Sequence, residues 1–174
     1  MAEEREFRKV AFFAACSEQD VCELAVFCRR VSYRKFQPIH EEGAPVLKVY
    51  AVLSGEVVLH KNRGDGREPV RLAVVRGGEM FGFGEVMLRR YYTRASALTA
   101  CTLLEIGKDD FVRRFMAVAS IRDQVMLNLS RIGRYLMNKV VGGGGQNDLA
   151  LYLLTLSEEC GKIAGGKIRI QRKL

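Results

Sequence analysis

The sequence has few of the residues that build metal sites and disulfide frameworks. Its two histidines, His40 and His60, are too few and too far apart for a site made of imidazoles, and each is expected in a loop or at a strand end. The five cysteines form an odd set without a C-x-x-C pair, which argues against a disulfide framework and a zinc ribbon. The even spacing of Cys16, Cys22 and Cys28 separates their side chains around a helix, which argues against an iron–sulfur cluster. We expect reduced thiols and no bound metal.

Catalytic constellations and long apolar runs are lacking as well. The sequence has no His-x-His pair of the kind that barrel-shaped metal enzymes use, and no Ser-His-Asp or Cys-His arrangement stands out. No run approaches the roughly 18 consecutive apolar residues that a membrane span needs. The segment from Met1 to Lys9 alternates Glu and Arg instead of forming an apolar signal core. We expect a cytoplasmic protein that is not an enzyme and has no membrane partner.

Acidic residues are outnumbered by basic ones. Twenty-eight Lys and Arg against 20 Asp and Glu give a formal net charge of +8, which favours an anionic partner such as a phosphate ligand or nucleic acid. The 174 residues are 48% hydrophobic and 28% charged. These proportions are typical of a globular domain and exclude a disordered or fibrous chain.

The hydrophobic period changes twice along the chain. Ser17 can act as an N-cap with Asp20 three residues on, which predicts a helix that ends near Arg30. The buried face of this helix would comprise Val21, Leu24, Ala25 and Cys28. From Val31 to Ile106, short runs rich in Val, Leu, Ala and Thr are broken by Gly and Pro, and they predict an antiparallel barrel or sandwich. The predicted strand runs are Val49 to Leu53, Glu56 to His60, Val70 to Val75 and Ala95 to Ile106.

Beyond Gly107 the pattern is helical again. Asp109 can cap a short helix through Phe115, and Ser120 can cap a longer one that runs to Val141. Apolar residues at a/d spacing form a stripe on this long helix, and the stripe packs either on a partner helix or on the protein's own barrel. The stripe consists of Val125, Leu129, Ile132, Leu136 and Val140. After a glycine run, a last helix is predicted over Asp148 to Glu159, and the basic tail that follows is expected to be a solvated or severed end.

Chemistry is best indicated by the segment Gly77 to Glu85, followed by the run that begins at Arg94. A phosphate monoanion held against a barrel needs N–H donors, a cation that forms paired hydrogen bonds, and the close backbone approach that Gly allows. Arg94 can supply the cation, whereas Glu85 is better suited to accept hydrogen bonds from sugar hydroxyls. The pattern therefore predicts one site that binds a sugar and a phosphate together.

These segments stand in the order of a known family. With the turn at Glu42-Gly43-Ala44-Pro45, the run Leu53-Ser54-Gly55 and the cassette Phe83-Gly84-Glu85 to Arg94-Ala95, nearly the whole chain resembles the cyclic-nucleotide-binding domain of the Crp/Fnr superfamily of bacterial transcription regulators. The resemblance implies an α+β fold, a double-stranded β-helix (jelly-roll) barrel with flanking helices and a long C-terminal dimerisation helix. It places the effector-binding domain in residues 1–107, the short and dimerisation helices in 108–141, a hinge in 142–147, and the start of a truncated winged-helix domain in 148–174.

The resemblance also implies partners and a site. The chain would act as a homodimer and contact DNA through the missing part of a C-terminal domain, with RNA polymerase as a further partner. Glu85 would contact the ribose 2′-hydroxyl, Arg94 the cyclic phosphate, and the amides near Met87 and Ala95 the phosphate oxygens. The predicted ligand-binding residues are Phe83, Gly84, Glu85, Val86, Met87, Arg94, Ala95, Ser96, Gly133 and Arg134. Because Ala95 lacks the hydroxyl that often accompanies cGMP preference, cAMP is the favoured effector.

Some residues depart from the family pattern. Met87 replaces a Gly or Ala and would crowd the phosphate, and Gly133 has no side chain with which to hold a base. The alternative to a ligand site is that Glu85 and Arg94 form a mutual ion pair that only pins the loop. Haem is the alternative effector on the same fold, in a gas or redox sensor. Its candidate iron ligands are Met80, Met87, His40, His60 and the cysteines, because Gly84 stands where a haem-binding relative has a ligating His.

Overall fold

The computed structural model describes residues 4–63, 67–141, 161–164 and 167–170. Two compact units divide the chain, Met1–Leu127 and Asn128–Leu174. The predicted glycine hinge at 142–147 and the helix predicted from Asp148 to Glu159 lie outside the described residues. Within the described ranges, no helix combines the length and apolar character that a membrane crossing needs.

Eight strands lie in the described part of the first unit. They are β1 Cys28–Tyr33, β2 Pro38–His40, β3 Lys48–Ser54, β4 Glu56–Lys61, β5 Val70–Arg76, β6 Met80–Phe81, β7 Arg94–Ala97 and β8 Cys101–Gly107. Two four-stranded antiparallel sheets result, with the orders β1-β8-β3-β6 and β2-β7-β4-β5. Consecutive strands often belong to opposite sheets, which confirms the predicted jelly-roll barrel.

Four α-helices lie in the described ranges, α1 Glu4–Phe7, α2 Glu18–Ala25, α3 Lys108–Arg113 and α4 Ala119–Val141. The N-terminus of α2 follows the prediction, because the Ser17 hydroxyl accepts from the Asp20 amide at 3.1 Å and the Asp20 carboxylate accepts from the Ser17 amide at 3.0 Å. Its predicted end near Arg30 is wrong. The helix ends at Ala25 because Cys28 already pairs with Ile106 in the first sheet.

The strands β3 and β8 separate two hydrophobic clusters. Val49 and Ala51 of β3 face an outer cluster that the helices cover, whereas Tyr50 and Val52 face the barrel cluster between the sheets. In β8, Leu104 and Leu103 divide in the same way. Both faces of these strands are therefore buried, which explains why their sequences are nearly continuous apolar runs.

Three further predicted boundaries differ from the structure. The run Ala95 to Ile106 is two strands, β7 and β8, which belong to different sheets. The helix α3 begins at Lys108 with Gly107 as N-cap, so Asp109 lies in its first turn. The helix α4 begins at Ala119, and Ser120 lies inside it with its hydroxyl 3.7 Å from the Cys16 sulfur. The end of α4 at Val141 agrees with the prediction.

The basic tail of the second unit contains a strand pair that was not predicted from the sequence. The strands β9 Gly161–Ala164 and β10 Lys167–Ile170 pair antiparallel, with Ile168 opposite Ile163, and the solvated or severed end stays a prediction. Alternating Ile and basic residues in β10 are a strand pattern that the charge of the tail obscured.

Two glycines with the same φ allow the cost of backbone strain to be compared with the cost of a steric clash when each is replaced by alanine. Gly43 and Gly55 both have φ of 80°, but a Cβ at Gly43 meets nothing within 4 Å, whereas one at Gly55 lies 2.7 Å from Cα of Cys101. We expect Gly43→Ala to lower the free energy of unfolding by about 1–2 kcal/mol and Gly55→Ala to lower it by about 1–3 kcal/mol more. Equal losses in urea denaturation would contradict this steric account of the β3–β4 turn.

Candidate functional site

The segment of residues 82–95 follows β6 and includes the first two residues of β7, and it contains the predicted cassette. It begins at Gly82, whose φ of 80° is the left-handed conformation that favours glycine, and continues in a 3₁₀ turn over Phe83–Glu85. Phe83 anchors the turn, since it is buried and its ring centroid lies 4.9 Å from that of Phe12. The cassette ends on β7, which Arg94 begins.

Glu85 ties the two ends of the cassette together. Its Oε1 accepts hydrogen bonds from the Tyr92 amide at 2.7 Å, the Thr93 amide at 3.0 Å and the Thr93 hydroxyl at 3.3 Å. Burial raises the pKa of Glu85, and these hydrogen bonds oppose the shift because they favour the charged form. Because all three donors bond to Oε1, Oε2 is the oxygen that a sugar hydroxyl would approach.

Arg94 binds a different carboxylate from the one predicted. It lies opposite His60 of β4, and its Nε is 3.3 Å from Oε2 of Glu41. The alternative interpretation, an ion pair between Glu85 and Arg94, is therefore not what these two described residues form. The cassette amides satisfy Glu85, and Glu41 lies against the guanidinium.

The segment of residues 41–46, which we call the strap, runs antiparallel to the cassette, with Pro45 opposite Arg90. The Gly43 amide donates to the Tyr91 carbonyl at 2.8 Å, and the Tyr91 amide donates to the Ala44 carbonyl at 2.8 Å. The Arg90 guanidinium donates to the Gly43 carbonyl at 2.7 Å. These bonds hold the outer end of the cassette loop against the barrel.

A second cation at the edge of the cassette is also bound to the strap. Lys61, the last residue of β4, donates to the Glu42 carboxylate and to the Tyr92 carbonyl at 3.1 Å, and its Nζ lies 3.8 Å from the centroid of the Tyr92 ring. The bond from Lys61, with that from the Asn62 amide, lowers the pKa of Glu42. The consecutive carboxylates Glu41 and Glu42 thus hold two cations beside the cassette.

His40 supports the cassette from inside the barrel. His40 is the last residue of β2 and lies opposite Ala95 of β7, which agrees with the predicted strand-end position. It is nevertheless only 8% exposed. Its ring stacks on Tyr91 at 3.8 Å between centroids. Burial lowers the pKa of His40 to about 4, and a hydrogen bond with the Thr93 backbone opposes this shift with a smaller effect. His40 is therefore neutral at pH 7 and acts as an aromatic ring.

The other predicted cassette residues divide into anchors and surface positions. Val86 and Ala95 are buried, Ser96 is half-buried, and Gly84 is exposed. Met87 is 79% exposed, and its crowding of the phosphate stays a prediction. Gly133 and Arg134 belong to the second unit. Their predicted role stays a prediction.

The predicted dimer stripe contains one residue that does not fit. Val125 is 4% exposed and packs in the outer cluster of its own chain, so the alternative that the stripe packs on its own barrel holds for this residue. The side chains of Leu129, Ile132 and Leu136 are 40%, 49% and 54% exposed. The side chain of Val140 lies outside the described residues.

The candidate haem ligands do not converge. Met80 belongs to the outer cluster and His40 to the barrel interior, on opposite faces of the first sheet, while Met87 is exposed. Among the described residues, no group of three or more His, Cys, Asp or Glu side chains is arranged to hold a metal ion. Haem stays the alternative prediction for the effector.

Comparisons with known proteins agree with this geometry. A family model for the cyclic nucleotide-binding domain matches residues 30–117. The N-terminal domain of a transcriptional regulator from Streptomyces coelicolor A3(2) is 26% identical with a TM-score of 0.58, covering 74% of this chain and 92% of that chain. The catabolite activator protein of Thermus thermophilus is 17% identical with a TM-score of 0.64, covering 92% of this chain and 93% of that chain.

A eukaryotic structure is similar as well. The regulatory domain of Toxoplasma gondii PKA, solved with cAMP, is 18% identical with a TM-score of 0.65 over 74% of this chain. The chain spans about half, 48%, of the length of that protein. A search of curated proteins finds no match.

Burial of His40 makes stability depend on pH. Since its pKa is lowered from 6.5 to about 4, the unfolded chain binds more protons between these values, and the free energy of unfolding falls as the pH falls through this window. We expect a slope of up to about 1.4 kcal/mol per pH unit from this group. His40→Phe, which retains a ring to stack on Tyr91, should flatten the slope in urea denaturation between pH 7 and 4.5.

The other histidine provides the matched control. His60→Phe should leave the slope at its original value, because burial of His40 causes the effect. An unchanged slope in His40→Phe would contradict the account.

Proposed function

Because the chain belongs to the cyclic nucleotide-binding domain family, we propose that it is the effector-sensing part of a bacterial DNA-binding transcription regulator of the Crp/Fnr type. The favoured effector is cAMP. The likeness to the Thermus thermophilus catabolite activator protein supports the regulator role, since it extends over 92% of this chain and includes more than the barrel. The likeness to a PKA regulatory domain solved with cAMP supports the choice of effector.

One observation carries the proposal: a carboxylate with an available oxygen and an arginine stand at the two ends of one short cassette. Glu85 uses only Oε1 to bind Tyr92 and Thr93, so Oε2 can accept a bond from a ribose hydroxyl. Arg94 follows Thr93 directly and is 45% exposed, which allows its guanidinium to reach a ligand phosphate. A cyclic nucleotide carries both groups on one sugar.

Transmission of the signal involves the long helix. Leu129, Ile132 and Leu136 are exposed on α4 at a/d spacing, and a second copy of the chain would cover them. In the proposed mechanism, the effector binds one arrangement of the paired helices better than the other and thereby shifts their population. The partners that follow are DNA, through a winged-helix domain, and RNA polymerase.

Calorimetric titration with cAMP tests the ligand, with cGMP as the comparison nucleotide. We expect micromolar binding of cAMP and weaker binding of cGMP. Arg94→Ala should weaken cAMP binding by roughly 1.5–3 kcal/mol, the range for a hydrogen bond to a charged group, or about ten- to hundredfold.

A matched variant controls for the loss of positive charge. Arg113→Ala removes another exposed arginine with a carboxylate partner, Asp109, on α3, and should leave the affinity unchanged. Absence of heat at millimolar cAMP, or equal affinity in Arg94→Ala, would refute the proposed ligand site.

Sedimentation velocity tests the helix interface. The unaltered protein should sediment as a dimer, and Leu136→Glu should shift it to monomer because a charge would be buried between the helices. Leu72→Glu, which places the same charge at a 52% exposed position on β5, should remain dimeric. A monomer at all concentrations in the unaltered protein would contradict the proposal.

A further inference from the structure

We infer that Glu41 is an internal competitor for the anion site, a carboxylate that occupies the Arg94 guanidinium until an anionic ligand displaces it. The inference rests on the proposed function for the identity of the natural ligand. The competition itself concerns any phosphate-bearing anion that reaches Arg94.

Backbone pairing brings the two residues together. His40 pairs with Ala95, so Glu41, the next residue after β2, emerges beside Arg94, the residue before Ala95. The distance of 3.3 Å between Nε and Oε2 is therefore set by the register of β2 against β7 as well as by side-chain rotamers. Because β2 and β7 are far apart in sequence, the contact between Glu41 and Arg94 cannot be predicted from neighbouring residues.

The charges make Glu41 a competitor. A phosphate is bound best by two parallel N–H donors of one guanidinium, and the Glu41 carboxylate already lies 3.3 Å from Nε of Arg94, one of those donor atoms. A carboxylate and a phosphate at the same guanidinium also repel each other, because they carry like charges at short distance. Lys61 does not offer a substitute cation, since it is bound to Glu42 and to the Tyr92 carbonyl.

Displacement of Glu41 requires little rearrangement. Its side chain is 58% exposed and can turn into solvent, and an ion pair of this exposure is weak. The rest of the strap is held by its own bonds, which include the Gly43 amide to the Tyr91 carbonyl and the Lys61 contact of Glu42. Glu41 can therefore leave while the strap remains on the cassette.

The direct test is an NMR titration of the Arg94 Nε–H signal with inorganic phosphate at constant ionic strength. Glu41→Gln keeps the size of the side chain but removes its charge, and it should lower the phosphate concentration at half-saturation by about 1.5- to 5-fold, the range for an exposed ion pair. The same variant should tighten cAMP binding by a similar factor. In the Arg94→Ala background, Glu41→Gln should have no effect on cAMP affinity.

Glu56→Gln is the matched control. Glu56 forms a similar exposed pair with Nε of Arg76 at 3.0 Å, but it lies at the opposite end of β4 from His60, the residue that faces Arg94. Its substitution changes the net charge equally and should leave both titrations unchanged.

The outcomes separate the two proposals. Equal half-saturation in Glu41→Gln and Glu56→Gln would overturn the competition, and weaker binding in Glu41→Gln would overturn it by making Glu41 a residue that positions Arg94. Tighter phosphate binding in Glu41→Gln, combined with no cAMP binding in any variant, would uphold the competition and refute the proposed effector.

Discussion

The bonds between the Glu85 carboxylate and the amides of Tyr92 and Thr93 are the constraint on which the candidate site depends. They close the cassette into a loop and fix the position of the next residue, Arg94. Glu85 is partly buried, so loss of these donors would leave a costly unsatisfied carboxylate. The constraint therefore serves the loop and the site at once: it orders the backbone, and it leaves one carboxylate oxygen for a ligand.

The barrel and the strap also hold the cassette in place, through contacts with Tyr91. His40 stacks on Tyr91 from below, while Gly43 and Ala44 of the strap bond to the Tyr91 backbone from the side. The strap also brings two carboxylates to a protein whose net charge is +8. The net positive charge attracts an anion from a distance, whereas Glu41 neutralises the cation that would bind it. The ligand therefore has to exchange with Glu41 instead of entering an open cationic site.

Local patterns predicted the parts of this structure that local interactions determine. The capping box at Ser17 and the strand runs around Val52 and Val57 follow from residues close in sequence, and the cassette could be recognised by its glycines together with Glu85 and Arg94. The end of α2 was missed because Cys28 pairs with a residue far along the chain. Val125 was assigned to an interface because spacing alone cannot tell which body covers an apolar stripe.

The roles of His40 and Glu41 could not be predicted for the same reason. Both depend on the pairing of β2 with β7, which brings residues more than fifty positions apart into contact. In the sequence, a His followed by two Glu indicates a polar strand end. The stacking of the His40 ring on Tyr91 follows only from the fold.

A crystal structure of the protein with cAMP tests the central claim most directly. The account predicts that the phosphate bonds to the Arg94 guanidinium, that the ribose hydroxyl bonds to Oε2 of Glu85, and that the Glu41 carboxylate has turned away from Arg94. Density for the nucleotide away from the cassette, or a phosphate that does not contact Arg94, would contradict it.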